Sequence, residues 1–155
     1  PALPGEPLAG AAWPGGAPPG SERLAAEANE WYVFHGASPA VAESICRGDF
    51  QLKGVYPQQG AMYGRGLYCA ESITKTDESA IANDEGECTV LLCRALGGRV
   101  RRVEEEEFDP EELLRDCVEG PFDCVMGGPP AHRELVFFDA EHLYAEYLIQ
   151  YARKP

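Results

Sequence analysis

Glu146 is the residue whose setting most suggests chemistry, because it lies among aromatic residues in a predicted strand at 144–151. Period-two alternation along this strand places Glu146 on the face opposite Tyr147 and Ile149. A carboxylate in mid-strand costs free energy unless it has a partner or a catalytic task. The alternative is an edge-strand charge that prevents aggregation. The local pattern leaves both interpretations open.

His35 and the segment Gly64-Arg65-Gly66 are two further candidates, each weak when taken alone. His35 ends a predicted strand, where a histidine is either a functional group or a core side chain whose hydrogen bonds are satisfied. The two glycines predict a turn before a short apolar run. They do not form a Rossmann dinucleotide fingerprint, because no third glycine follows and no helix begins there.

Short strands are the main elements that can position these residues. Runs of β-branched, aromatic and aliphatic residues predict strands at 31–34, 67–70, 88–96, 99–103, 134–138 and 144–151. Capping residues, prolines and glycines predict helices at 21–30, 39–47, 74–82 and 111–118, and loops at 53–60 and 121–130. We therefore predict an α+β fold with a split, mostly antiparallel β-sheet core and a few short helices.

The composition is that of a small acidic globular domain. The 155 residues include 26 acidic and 13 basic side chains, which gives a net charge of −13. This charge argues against nucleic-acid binding and against docking on an anionic membrane. No apolar run approaches the roughly 20 residues that cross a bilayer, and the amino terminus lacks signal-peptide features. We expect a monomeric domain that acts in the nucleus or the cytosol.

The amino-terminal segment predicts a linker rather than a folded element. Its first twenty residues include six prolines, five glycines and five alanines, which bury little and form neither helix nor sheet. We therefore divide the chain into a disordered segment or linker at 1–28 and a folded domain at 29–155.

The cysteines and the acidic run carry no clear chemistry. The six cysteines form no Cys-x-x-Cys pair, and the three histidines lie at no metal-ligand spacing, so we predict free thiols and no metal site. A redox or zinc protein is a minor alternative. The four glutamates at 104–107 predict a solvated loop and helix start rather than an acidic binding site.

Three separated blocks resemble, in one order, the catalytic domain of the poly(ADP-ribose) polymerases. They are residues 34–38, residues 62–72 with Lys75-Thr76 beyond them, and residues 134–138 followed by 144–149. The resemblance covers about 31–151 and looks closest to the tankyrase-like branch. It implies the ADP-ribosyltransferase fold, NAD as co-substrate without a metal, and transfer of ADP-ribose to side chains of acceptor proteins, poly- or mono-, with release of nicotinamide.

Carried over position by position, the family's His-Tyr-Glu triad falls on His35, Tyr68 and Glu146. The resemblance implies that His35 binds the adenosine ribose, that Tyr68 stacks on the nicotinamide ring, and that Glu146 holds the nicotinamide ribose. A fixed carboxylate there stabilises the oxocarbenium-like charge that develops as the glycosidic bond breaks. Gly36 corresponds to the glycine that clamps the carboxamide through its backbone, and Thr76 to the hydroxyl residue that donates to the carboxamide oxygen.

Two positions depart from the family pattern. Ser79 replaces a second tyrosine that many members place on the other face of the nicotinamide, and Ala37 replaces a frequent hydroxyl residue. A thinner pocket keeps open a second interpretation, a catalytically weak relative that serves as an NAD or ADP-ribose binding module. Label transfer from NAD distinguishes the enzyme from the module.

Overall fold

The apolar runs of the sequence form one seven-stranded β-sheet within the residues that the structure describes. The computed structural model describes residues 24–52, 61–130 and 132–154. The strands are β1 (Glu30–Gly36), β2 (Leu67–Ala70), β3 (Glu87–Leu96), β4 (Val100–Val103), β5 (Cys124–Gly127), β6 (Glu134–Phe137) and β7 (Leu143–Ala152). The helices are α1 (Pro39–Arg47), α2 (Ile73–Asp77) and α3 (Pro110–Val118).

The order of strands across the sheet is β4-β5-β6-β2-β1-β3-β7. Neighbouring strands are antiparallel except for β4 and β5, which run parallel. The predicted α+β fold with a mostly antiparallel sheet and short helices is therefore confirmed. This order makes β6, β2 and β1 adjacent in the middle of the sheet, whereas β7 lies at one edge.

Alternation along the strands divides the apolar side chains between the two faces of the sheet. One face carries the main cluster, which includes Val33 of β1 and Ala42 of α1. The other face carries two smaller clusters, one around Tyr32 and one around Tyr63 with Leu113 of α3. The two faces of β1 therefore pack against different parts of the molecule.

The predicted caps define the ends of α1 and α3. Ser38 accepts a hydrogen bond from a backbone N–H of the first turn of α1, Pro39 is the first helical residue, and Gly48 follows the end. The Asp109 carboxylate accepts from the Glu111 N–H at the start of α3. Side-chain caps at these positions satisfy donors that the first turn of a helix leaves without partners.

The helix predicted at 74–82 is wrong at both ends. Ser72, two residues before the predicted start, is the cap, because its hydroxyl accepts from the Lys75 N–H at 3.2 Å. The helix ends at Asp77, whose carbonyl accepts from the Arg153 guanidinium at 2.6 Å, as the Ala80 carbonyl does at 3.0 Å. A side chain from the end of β7 thus takes the acceptors of the last turn.

Two further predictions of local structure are wrong. The loop predicted at 121–130 contains β5, whose four residues are all buried between β4 and β6. The helix predicted at 21–30 is replaced, in its described part, by a 3-10 turn at Ala26–Ala28. Asn29 ends that turn with a left-handed φ of 54°. The predicted loop at 53–60 and most of the predicted linker lie outside the described residues.

The six cysteines are free thiols, as predicted. Four of them are buried, Cys117 is half-buried and Cys46 is exposed. Over the described ranges we find no helix with the length and apolar character needed to span a membrane.

Candidate active site

Three adjacent strands bring polar side chains of the sheet together. Phe34 of β1 lies opposite Ala70 of β2, and Ala70 lies opposite Glu134 of β6. Paired residues share a face of the sheet, and residues two apart on a strand do so as well. The side chains of Tyr68 and Glu134 therefore lie on one face, diagonally across the β2–β6 pair, on the side where Gly36 ends β1.

The Tyr68 ring is fixed by the turn that precedes β2. Its hydroxyl donates to the Gly64 carbonyl at 2.7 Å and accepts from the Tyr63 N–H at 3.0 Å. Burial raises the pKa of Tyr68 to about 12, so the phenol stays protonated and keeps its donor. Tyr63 in turn stacks on Phe108, with ring centroids 5.3 Å apart. The Gly-x-Gly turn therefore positions an aromatic ring rather than a phosphate.

Tyr68→Phe is expected to lower the free energy of unfolding by about 1–3 kcal/mol, because it leaves the part-buried Gly64 carbonyl and the Tyr63 N–H without their partner. Urea unfolding of the two proteins measures the difference. Tyr144→Phe is the matched control, since Tyr144 is exposed. Equal stability of Tyr68→Phe and wild type would show that the hydroxyl does not hold the turn.

His35 lies on the opposite side of β1 from Tyr32 and reaches the strand that carries Tyr68. Its Nδ1 is 2.7 Å from the Tyr68 carbonyl oxygen, and its ring packs edge-on against Phe50. Burial lowers the pKa of His35 below the usual value, so the imidazole is neutral at pH 7. We assign the proton to Nδ1, which faces an acceptor, and this leaves Nε2 as a hydrogen-bond acceptor.

Gly36 and Thr76 form a close contact between β1 and α2. A Cβ atom built on Gly36 would lie 3.2 Å from the Thr76 methyl carbon. A Cβ atom at this position would therefore require the Thr76 methyl group to shift by a few tenths of an ångström. Thr76 is buried, and its hydroxyl donates to the Ser72 carbonyl at 3.2 Å. Donation to a bound carboxamide, as expected from the sequence, requires that bond to be exchanged.

Glu134 is a carboxylate that the structure places on this face, one strand away from Tyr68, and the sequence analysis assigned it no role. It is half-buried, and burial raises its pKa above the usual value, with Glu78 adding to the rise and Lys75 opposing it. It also influences the pKa values of Tyr68 and Tyr63. The signal that pointed to it was its place at the start of a strand in one of the matching blocks. The choice between Glu134 and Glu146 depends on the pairing of β6 with β2, which the sequence does not reveal.

Glu146 lies on the edge strand β7 and is separated from β2 by both β1 and β3. At about 4.8 Å per strand, it is roughly 14 Å across the sheet from the strand of Tyr68. Its Oε2 accepts from the Tyr32 hydroxyl at 2.7 Å, and its Oε1 lies 3.5 Å from Arg94 Nε. The structure therefore gives this carboxylate a partner and does not bring it together with His35 and Tyr68.

A β-bulge explains why the predicted face of Glu146 is wrong. Leu92 of β3 is opposite Tyr147, whereas Cys93 is opposite Ala145, so Glu146 is an extra residue in β7. The bulge interrupts the alternation, and Glu146 points to the side of Tyr32. Alternation alone does not reveal an inserted residue of this kind.

Ser79 lies in an exposed turn after α2. Its hydroxyl donates to the Thr76 carbonyl at 3.3 Å, so the side chain folds back on its own turn. The turn is held from the end of β7, because Tyr151 donates to Asp77 and Arg153 pairs with the same carboxylate. Among the described residues, no group of three or more His, Cys, Asp or Glu side chains could hold a metal.

Comparison with known proteins adds two findings. A family model described as the poly(ADP-ribose) polymerase catalytic domain matches residues 20–120. The protein mono-ADP-ribosyltransferase PARP12 of Mus musculus is 26% identical over 132 residues, which covers 81% of this chain. The chain spans only 17% of the length of that relative. The family match includes His35, Gly36, Tyr68 and Thr76 but ends before both glutamates.

Proposed function

This chain belongs to the poly(ADP-ribose) polymerase catalytic domain family, and from this premise we propose that it is an ADP-ribosyltransferase. The proposed reaction takes NAD, releases nicotinamide and transfers ADP-ribose to a side chain of an acceptor protein. Both single and repeated transfer fall within this proposal. The relative's printed name describes mono-ADP-ribosyl transfer, and the tankyrase-like branch suggested by the sequence stays a prediction.

The observation that carries the proposal is the arrangement of Tyr68, Gly36 and Glu134 on one face of three adjacent strands. An immobilised aromatic ring offers a stacking surface for a nicotinamide ring. The backbone of Gly36 at the end of β1, beside Thr76, is suited to a carboxamide, which has one donor group and one acceptor oxygen. A carboxylate diagonal to the ring is suited to the ribose that follows.

We assign to Glu134 the role that the sequence analysis gave to Glu146. Loss of nicotinamide leaves positive charge on the ribose, and a fixed carboxylate in a partly buried site stabilises that charge. The same carboxylate can accept a proton from the attacking hydroxyl or carboxylic acid of the acceptor. Glu146 lies three strands away from Tyr68 and its oxygens are engaged by Tyr32 and Arg94, which favours Glu134 for both roles.

His35 lies at the end of β1 with its side chain on the opposite face from Tyr68 and Glu134, and its proposed part in the donor site is that of an acceptor of hydrogen bonds. Its Nδ1–H is committed to the Tyr68 carbonyl, which fixes both the ring and the tautomer. The remaining nitrogen can accept from a ribose hydroxyl. Because the bond also joins β1 to β2, His35 links the two strands that hold the nicotinamide side of the site.

Incubation of the purified chain with NAD labelled in the adenylate part tests the proposal. We expect label to become attached to protein and nicotinamide to appear in equal amount, with both lost in Glu134→Gln. Binding of NAD by the wild-type protein without either product would instead support the binding module. Digestion of the labelled protein to its attached nucleotides shows whether one ADP-ribose or a chain was transferred.

The pH dependence of transfer is expected to report Glu134. The carboxylate must be ionised to stabilise positive charge, and burial raises its pKa above 4.5, so transfer falls with decreasing pH earlier than for an exposed glutamate. His35 is neutral already, since its pKa is lowered. We therefore expect no further gain from its deprotonation near pH 7. Values of kcat/KM measured from about pH 5 to about pH 9 show this fall on the acidic side of the profile, the acidic limb.

The control for this profile is Glu146→Gln, which should keep the same acidic limb. A limb that moves in Glu146→Gln would assign the titrating group to the edge strand. A rate independent of pH down to the ordinary carboxyl range would contradict the buried setting of Glu134.

A further inference from the structure

A buried ion pair lies directly behind the proposed catalytic carboxylate. Glu71 follows the last residue of β2, and Arg133 precedes the first residue of β6. Their side chains are 0% and 8% exposed, and Arg133 Nε lies 3.4 Å from a Glu71 carboxylate oxygen. Neither Glu71 oxygen accepts a hydrogen bond within the described residues, so Arg133 provides the compensating charge.

The pair continues the ladder between β2 and β6 by one step. Ala70 is opposite Glu134, and the next residues along, Glu71 and Arg133, are joined by a backbone hydrogen bond of 3.3 Å from the Glu71 N–H to the Arg133 carbonyl. Successive side chains of a strand point to opposite faces. The ion pair therefore lies under the sheet, and the Glu134 carboxylate lies above it.

The same residues connect to the other wall of the site. Ser72, which follows Glu71, caps α2, and α2 carries Thr76. On the other strand, Gly128 takes a left-handed φ of 92° shortly before Arg133, and a Cβ atom built on Gly128 would lie 3.6 Å from the Arg133 Cα. The ion pair thus fixes the start of β6, which carries Glu134, and the start of α2, which carries Thr76.

β6 has only four residues, so its ladder with β2 consists of four residue pairs. A slip of one residue would turn Glu134 to the opposite face and remove it from Tyr68. A buried ion pair is seldom the most stable choice for such a position, because apolar residues of similar size often serve as well or better. The charges of Glu71 and Arg133 meet only when β6 pairs with β2 in the observed register, so the ion pair favours that register over a slipped one.

We propose that Glu71 and Arg133 are positioning residues for transfer, and that their ion pair holds Glu134 in register beside Tyr68. This inference rests on the proposed function. A positioning role differs from a role in stability alone in one respect. Loss of the ion pair should displace Glu134 and so lower kcat, while the stacking and carboxamide contacts of NAD persist.

The test replaces both charges by apolar side chains of similar length, in Glu71→Met with Arg133→Met. The double variant removes both charges of the ion pair together, so we expect a Tm within about 5 °C of the wild type. We expect kcat to fall by about 10- to 100-fold, because small displacements of catalytic groups have effects of this size. The KM for NAD should change by less than about threefold, since uniform binding is untouched.

Arg133→Lys is the conservative variant, because it keeps the charge but not the planar guanidinium. We expect it to retain more kcat than the double variant, with an unchanged KM. If the double variant does not fold, Arg133→Lys decides: a lower kcat at constant KM supports the inference, and any other result overturns it. A folded double variant with kcat within about twofold of the wild type also overturns it.

A readout independent of catalysis separates this inference from the proposed function. Titration of the Glu134 side-chain carboxyl by NMR in wild type and double variant reports its burial. We expect its pKa to return toward the ordinary value when the register loosens. An inactive wild-type protein in which this change occurs would contradict the proposed function alone, and an unchanged titration would contradict the positioning role.

Discussion

Glu134→Gln is expected to lower ADP-ribosyl transfer by about 100-fold or more, whereas Glu146→Gln is expected to leave it within about threefold of the wild type. Glutamine keeps the size of the side chain and its ability to accept a hydrogen bond, but it removes the negative charge. Only a charge adjacent to the ribose stabilises the transition state, and Glu134 is the glutamate on the strand next to Tyr68.

The two variants should also differ in stability, because only Glu146→Gln is expected to lower it. Burial raises the pKa of Glu134, so the folded state binds a proton more tightly than the unfolded state, and ionisation opposes folding as the pH rises. Removing that charge should leave the Tm unchanged or higher at pH 7. Glu146→Gln weakens a charge-assisted hydrogen bond from Tyr32 and the pairing with Arg94, and should cost about 1 kcal/mol.

Three measurements compare the two variants: initial rates of nicotinamide release report transfer, calorimetry reports NAD affinity, and thermal melts report stability. NAD affinity should be nearly the same in both, because the effect of Glu134 belongs to the transition state. The reverse outcome, with transfer surviving in Glu134→Gln and lost in Glu146→Gln, would return the catalytic role to the edge strand.

The parts of the site that depend on local sequence could be predicted. The turn before Tyr68, the strand that ends at His35-Gly36 and the Ser38 cap each depend on residues within a few positions of one another. The residue types also limit the possible conformations, since glycines favour a turn before Tyr68 and a proline favours the start of a helix. Thr76 could be placed on a helix, although the bounds of that helix were wrong.

The glutamate could not be chosen in the same way, because the choice depends on strand pairing. Glu134 and Glu146 both lie in apolar strands near the end of the chain, and the sequence does not show which strand pairs with β2. The bulge at Glu146 then breaks the alternation on which its face was predicted. Long-range pairing and an inserted residue are both tertiary features.

The missed strand β5 has a related cause. Gly127, Gly128 and two prolines are typical of a loop, and they outweighed the apolar Cys124-Val125-Met126. The strand forms because β4 and β6 lie on either side of it and satisfy its backbone. Gly127 is therefore a strand residue, and a glycine is needed there because the Tyr63 ring approaches the backbone closely.

Gly127→Ala is expected to lower the free energy of unfolding by about 3 kcal/mol and the Tm by roughly 10 °C. A Cβ atom on Gly127 would lie 2.2 Å from the Tyr63 hydroxyl oxygen and 2.3 Å from its Cζ. Tyr63 cannot easily move, because it is buried and stacks on Phe108. Differential scanning calorimetry of the two proteins measures the loss.

Transfer should fall as well, since the displaced Tyr63 supports the Tyr68 hydroxyl through its backbone N–H. Gly127 is also opposite Glu134 in the β5–β6 ladder. A single methyl group at this position therefore disturbs the ring and the carboxylate of the proposed site together. A stable Gly127→Ala protein with normal transfer would show that neither depends on this contact.

The cause of the loss can be separated from backbone strain. Gly86→Ala is the control for strain, because Gly86 has a left-handed φ of 81° and no heavy atom within 4 Å of the added Cβ, and it should cost only about 1 kcal/mol. Tyr63→Leu in the Gly127→Ala background should relieve the clash. The loss in the double variant is then smaller than the sum of the two single losses, because both substitutions act on the same contact. Strict additivity would place the effect of Gly127→Ala in the strand backbone instead.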